Sequence, residues 1–160
     1  MTIKIRFSKE SDFEQLIDID HKVWNMKTTP TIIKWDSLNE FSEKNPEGSQ
    51  LVAILEERVV GYLGFHYPTP LKTNQHVLEI DIAVDQHYQG KGIGSKLLDE
   101  LMKMAKDKNI HKLALRVLSS NEGAIDFYKK CGFIEQGRLV KEFLIDGEFV
   151  DDLLMYKLVE

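Results

Sequence analysis

Three glycines at alternate positions, Gly90, Gly92 and Gly94, separate the β-rich run ending Ile82-Ala83-Val84 from an amphipathic helix that begins at Ser95. Glycine lets a backbone come close to a ligand and adopt positive φ. In a turn from strand to helix, the loop amides and the free N–H groups of the first helical turn converge on one point, with the helix dipole behind them. Such a cluster holds an anion, phosphate above all, without net positive charge. The stretch Gln89-Gly90-Lys91-Gly92-Ile93-Gly94-Ser95 is therefore a candidate phosphate cradle. A tight turn that holds no ligand is the other reading of the same glycines. Two nucleotide loops fit poorly: a P-loop needs Ser or Thr directly after Gly-Lys, and Lys91 is followed by Gly92. A dinucleotide fingerprint counted from Gly90 requires glycine where Ser95 stands, and it belongs after the first strand.

Just upstream, Glu79 and Asp81 alternate with Leu78, Ile80 and Ile82, so both carboxylates leave one face of a strand. On a substrate channel either could accept a proton; on a solvated face neither does chemistry. Cys131 is the single cysteine and cannot form an internal disulfide, which suits a reducing cytoplasm. It has no base nearby in the sequence and reads as a small buried hydrophobe. His66 and His76 stand alone, and no Cys/His cluster has zinc-ligand spacing, so no metal is implied.

These residues need elements to position them. The 160 residues fit a single domain spanning 1–160, without repeat, low-complexity tract or Pro/Gly/Ser linker. Ile3, Ile5 and Phe7 alternate as a first strand, and Ser11 or Asp12 caps a helix carrying Phe13, Leu16, Ile17 and Val23. Thr28-Thr29-Pro30 breaks that helix, and a shorter amphipathic segment follows with Ile32, Ile33, Trp35, Leu38 and Phe41. Residues 50–56 and 59–67 read as a hairpin, and 77–84 as a further strand. After the helix from Ser95 come a strand at 112–118, a helix at 121–130 with Gly132 beyond its end, and strands at about 139–145 and 149–158 joined by Asp146-Gly147. Hairpins early and late, with β-α-β-α between them, predict an α+β fold. Its sheet has about seven strands, mostly antiparallel, with a central parallel pair.

The stretch Gln89-x-x-Gly92-x-Gly94 after Ile82-Ala83-Val84 resembles the acyl-CoA pyrophosphate loop of the GNAT superfamily of N-acetyltransferases. Asn121-x-x-Ala124-x-x-Phe127-Tyr128-x-x-x-Gly132-Phe133 is similar to that family's next helix and its Gly-Phe exit, and the element order agrees along nearly the whole chain. The resemblance implies direct transfer of an acetyl group from acetyl-CoA to a primary amine, with no metal. It implies that Gly90 to Ser95 hold the pyrophosphate, that backbone N–H groups within Ile82 to Val84 face the thioester oxygen, and that Asn121 contacts the cofactor. Asn121 reads equally as a helix cap. Tyr128 aligns with the tyrosine that protonates the departing thiolate in many relatives; packing alone is its other reading. Either Glu79 or Asp81 would serve as base. Some relatives place a glutamate at the position held here by Arg116, so that base does not carry over. A non-catalytic acyl-CoA-binding regulatory protein is the alternative.

The resemblance also implies that the acceptor, a small amine, an amino acid or a protein N-terminus, is chosen by residues 23–35 and 145–149. Trp24, Trp35 and Phe65 are candidates for an apolar wall, and Asp146, Glu148, Asp151 and Asp152 for attracting a cationic amine, although a solvated turn explains most of those charges. A net charge of −5, from 21 basic and 26 acidic residues, gives no general pull toward nucleic acid or anionic membrane. The longest apolar runs are four or five residues and the N-terminus lacks the apolar block of a signal peptide, so a cytoplasmic protein is expected. Exposed strand edges of such a sheet can pair into a homodimer, and nothing in the sequence demands it.

Overall fold

The computed structural model describes residues 2–160. Its elements are β1 (Lys4–Phe7), α1 (Phe13–Val23), α2 (Leu38–Lys44), β2 (Gln50–Leu55), β3 (Arg58–His66), β4 (Val77–Val84), α3 (Ile93–Asp107), β5 (Lys112–Leu118), α4 (Glu122–Lys130), β6 (Ile134–Ile145) and β7 (Glu148–Leu158). The strands form one seven-stranded sheet in the order β1-β2-β3-β4-β5-β7-β6. Every neighbouring pair is antiparallel except β4–β5, the central parallel pair.

The sheet is covered on both faces. One side buries Leu63, Leu97, Leu101, Leu113 and Met155 among α3, α4 and the strands. The other buries Phe13, Leu16, Ile19, Phe41, Val52 and Tyr62 under α1 and α2. Along β4 the alternation sends Ile80 to the α3 side and Ala83 to the α1 side, with Asp81 on the latter.

The pairing of β4 with β5 is short. It runs only from Val77 opposite Lys112 to Glu79 opposite Ala114. Beyond that β4 stays with β3 as far as Val84, and β5 stays with β7 as far as Leu118, so the two central strands part. The splay lies where the parallel strands lead toward α3 and α4.

Several local features depart from expectation. Neither Ser11 nor Asp12 caps α1 with its side chain. The Asp12 carboxylate instead accepts the Lys9 N–H at 2.8 Å and a two-pronged contact from Arg6 at 2.7 and 2.9 Å. The shorter amphipathic segment that carries Ile32 to Phe41 is helical only from Leu38, because Ser37 caps it by accepting the Glu40 N–H at 3.1 Å. Pro30 and the β-branched run from Thr28 to Ile33 keep the preceding stretch irregular. Helix α3 starts two residues earlier than Ser95, with Gly92 as its cap. Strand β6 extends back to Ile134; register shifts after Glu135 and Leu139 scramble its alternation and hide the first half in sequence. The Asp146-Gly147 turn has both residues at positive φ, 50° and 80°, as a tight hairpin requires.

Candidate active site

Beyond β4 the chain is braced before it turns. Asp85 donates its N–H to the Val60 carbonyl at 2.9 Å and accepts the His87 N–H at 2.9 Å, while the Gln89 side-chain amide donates to the Val84 carbonyl at 3.3 Å. Gly90 and Gly92 then take φ of 77° and 78°, which L side chains rarely adopt. The Lys96 N–H bonds the Gly92 carbonyl at 3.1 Å, so the N–H groups of Ile93, Gly94 and Ser95 have no partner inside their helix. Gly94 has a different reason to be glycine: a Cβ there would lie 2.9 Å from Phe127 Cζ, so its bareness lets α3 approach α4.

This loop forms one wall of a cleft of about 570 Å³. Ile82, Ala83 and Val84 form the strand side; Gln89, Gly90, Gly92, Ile93, Gly94 and Ser95 form the loop; Asn121, Phe127 and Tyr128 close it from α4. Lys91 is not among the lining residues. Asn121 does cap α4, accepting the Ala124 N–H at 3.3 Å, and lines the cleft as well. The residues present fit a diphosphate-bearing cofactor: helix-start amides without a partner in their helix, and glycines with open space beside them at positions 90 and 92.

Tyr128 is fixed by the end of its own helix. Gly132, at φ 94°, lets the Phe133 N–H bond the Tyr128 carbonyl at 2.9 Å and its own N–H bond the Lys129 carbonyl at 3.0 Å, which together close the helix. The Tyr128 ring packs edge-on against Phe127 and Phe133. Burial and the charge of Asp81 push its phenol well above the ordinary tyrosine range, against a smaller downward pull from the Ile82 backbone N–H. The phenol is therefore protonated at neutral pH and lies beside the strand backbone at the splay. The Cys131 thiol is also pushed up by burial, which argues against a thiolate nucleophile.

A second pocket, of about 480 Å³, opens on the α1 side and shares Trp24 and Thr28 with the first. Asp81 lines it and Glu79 lines neither pocket. Of the two sequence-predicted carboxylates, only Asp81 thus reaches a cavity. Burial, then the nearby Asp20 charge, raises its carboxyl to about 6 against an opposing pull from His66. Gly64 faces it across β3–β4, and a Cβ there would come within 2.5 Å of Asp81 Oδ1. The strand is bare at that point to make room for the carboxylate.

Asp20 is a residue that sequence reading missed. Its carboxylate is buried and accepts from Tyr62 Oη at 2.5 Å and Trp24 Nε1 at 3.2 Å on one oxygen, and from Trp35 Nε1 at 2.8 Å on the other. Burial raises its pKa in spite of those three donors. The only signal in sequence was an acidic residue among the apolar positions of α1. Trp24 and Trp35 do line the pocket, but through this polar network rather than as an apolar wall. Phe65 does not; it packs on Phe7, with ring centroids 6.5 Å apart. The 145–149 turn does not line it either. The C-terminal hairpin contributes Phe143 and Asp152, because the irregular register in β6 brings Phe143 inward. Asp152 is buried and accepts from Arg116 Nε at 2.6 Å, while Asp151 faces outward to Arg138.

A mixed sheet opened between its two parallel strands, with a bare helix start on one side of the opening and a carboxylate-lined pocket on the other, is the framework of an acyl-group transferase. The acetyltransferase (GNAT) family pattern matches residues 11–133, and the chain belongs to that family. It is an acyltransferase of the N-acetyltransferase class. The L-amino acid N-acetyltransferase AaaT of Escherichia coli is 32% identical over 157 residues, which cover 96% of each chain. The crystal structure of smu.2055 from Streptococcus mutans superposes with a TM-score of 0.91 at 33% identity, covering 98% of this chain and 99% of that one. The structure of yncA from Salmonella typhimurium with its cofactor acetyl-CoA shares the fold, at a TM-score of 0.84 and 22% identity over 100% of this chain and 95% of that one.

Proposed function

We propose that the protein moves an acetyl group from acetyl-CoA directly to an uncharged primary amine, with the donor in the cleft of α3 and α4 and the acceptor in the Asp81 pocket. The observation that carries this reading is the parting of β4 from β5 beyond Glu79 and Ala114, since strand residues past it line both cavities: Asp81, Arg116 and Leu118 the one, Ile82 to Val84 the other. The bound donor supplies an activated thioester. Every other requirement falls to the chain. Backbone amides of Gly90 to Ser95 hold the diphosphate, Asn121 adds a polar contact at the α4 start, and strand amides from Ile82 to Val84 donate to the thioester oxygen.

An amine of solution pKa near 10.4 must lose a proton to attack. Asp81, half-buried and with its carboxyl raised to about 6, accepts that proton, and is ionised at neutral pH to do so. As the nitrogen bonds to the carbonyl carbon, the carbon–sulfur bond breaks and the sulfur leaves with the bonding pair. Tyr128 gives its phenolic proton to that sulfur; the nitrogen sheds its second proton as the amide forms, and that proton reprotonates the phenol through solvent, while Asp81 releases the first to solvent. No step is assigned to Glu79. The non-catalytic reading loses its support: it rested on Arg116 in place of a carboxylate, and here Asp81 supplies a carboxylate from the neighbouring strand. The free thiol of Cys131 agrees with a cytoplasmic site of action.

Free thiol released from acetyl-CoA, followed across a panel of primary amines, tests the whole assignment. Release that depends on at least one amine is expected. A flat response to every amine, in protein whose melting temperature acetyl-CoA raises, would leave only a binding protein.

A further inference from the structure

One row of residues crosses the sheet beneath the acceptor pocket. Gln50 on β2 pairs with Gly64 on β3, and Gly64 with Asp81 on β4. Counting on from Glu79 opposite Ala114, the position facing Asp81 across the splay is Arg116 on β5. Gln50, Asp81 and Arg116 all line the pocket, and Arg116 is its only basic residue.

The charges of the pocket are unequally occupied. Asp20 already accepts three hydrogen bonds from Tyr62, Trp24 and Trp35. Asp152 is occupied by Arg116 through Nε alone. That leaves the two Nη groups of a half-exposed guanidinium without a hydrogen bond among the described residues. Gln50 is 5% exposed, yet its Oε1 has no hydrogen-bond partner. A buried orphan acceptor destabilises the fold unless something supplies a donor. The row therefore presents one carboxylate free for a nitrogen, one guanidinium edge free for an anion, and one amide oxygen short of a donor.

We infer that the acceptor is an amine bearing a carboxylate one or two atoms from its nitrogen, that is, a free amino acid, with the nitrogen at Asp81 and the carboxylate on the Nη edge of Arg116. A planar guanidinium fork matches a carboxylate with two parallel bonds. Asp152 is a positioning residue: by holding Nε it turns that fork toward the splay. The nitrogen and carboxylate of such an acceptor would bridge the opening between β4 and β5, on which Asp81 and Arg116 stand two residues beyond the last paired position. A diamine, by contrast, would leave the Nη edge of Arg116 without an anion. This inference rests on the transferase reading given above and narrows it.

The test measures kcat/KM with acetyl-CoA for matched sets: an amino acid, its carboxamide, and the decarboxylated amine. The free acid is expected to exceed the other two by about 10–100-fold, mostly in KM, the scale of one charge-assisted bidentate contact. Arg116→Gln should erase that preference while sparing the carboxamide rate, which also certifies the fold. Arg116→Lys should keep part of it, and Asp152→Asn should reduce it with the carboxamide rate intact. Equal use of acid and carboxamide, or an Arg116→Gln loss that strikes both alike, overturns the inference and leaves the transferase reading standing. Absence of transfer to every amine overturns both.

Discussion

As the proposed base, Asp81 would hold two roles in tension, since the burial that raises its carboxyl also makes its charge costly. Its raised carboxyl sets a sign for each effect. As a base it must be ionised, so kcat/KM should rise with pH through about 6 and fall away below it. For stability, a carboxyl raised in the folded state favours folding most below the ordinary carboxylate range, and that contribution is lost as pH rises through about 6. Asp81→Asn should therefore lower kcat by about 10²–10⁴-fold. It should also raise the melting temperature of the ligand-free protein at pH 8 and leave it unchanged near pH 4. The gain should be on the order of 1–2 kcal/mol, discounted because the group is not wholly buried. A variant that is slower but no more stable at pH 8 would show that the carboxylate is well solvated. Tyr128 makes a cleaner case because its ring, not its hydroxyl, packs on Phe127 and Phe133. Tyr128→Phe should keep the melting temperature and the acetyl-CoA-induced shift while cutting kcat by about tenfold or more. An unchanged kcat would remove the phenol from the mechanism.

At the scale of elements, two bare positions serve opposite sides of the splay. Gly92 caps α3 at positive φ with open space around it, so a side chain there is strained and leans into the donor cleft. Gly64 lies in β3 with ordinary φ, and only the Asp81 carboxylate forbids a side chain. Gly92→Val should abolish the rise in melting temperature that acetyl-CoA produces. Gly64→Ala should keep that rise but lower kcat by displacing the carboxylate. Differential scanning fluorimetry beside the thiol assay separates the two, and a shared loss of both signals would mean that the cavities are not independent. The splay lies between the strands that lead into the two helices flanking β5 in the chain. Helix α3 and helix α4 both pack on one face of the sheet through Leu97, Leu101 and Tyr128, and the parallel strands are held only at their first three residues.

At the scale of the whole molecule, the proposed reaction uses both faces of the sheet. The proposed donor cleft is built mainly from α3, α4 and the end of β4, and the proposed acceptor pocket lies on the α1 side. The donor side was readable in the sequence, because a cradle made of backbone needs glycines at fixed spacing and a helix that starts where they end. The acceptor side was readable only in part. Asp81, Trp24, Trp35 and Asp152 stand out in the sequence and line the pocket, whereas Asp20, Gly64 and Phe143 come from three separate elements and each looks ordinary in its own stretch.

The linear pattern of residues settled what depends on neighbours in the chain: seven strands, most of their bounds, the glycine turn before α3 and the capped end of α4 that seats Tyr128. These are set by alternation, helical spacing and glycine, all local. Tertiary structure alone decided where β4 and β5 part, that Asp81 rather than Glu79 meets a cavity, and that Arg116 leaves an edge of its guanidinium open while Asp152 holds the other. Those outcomes turn on strand register and burial across residues far apart in sequence, which no single stretch of the chain records.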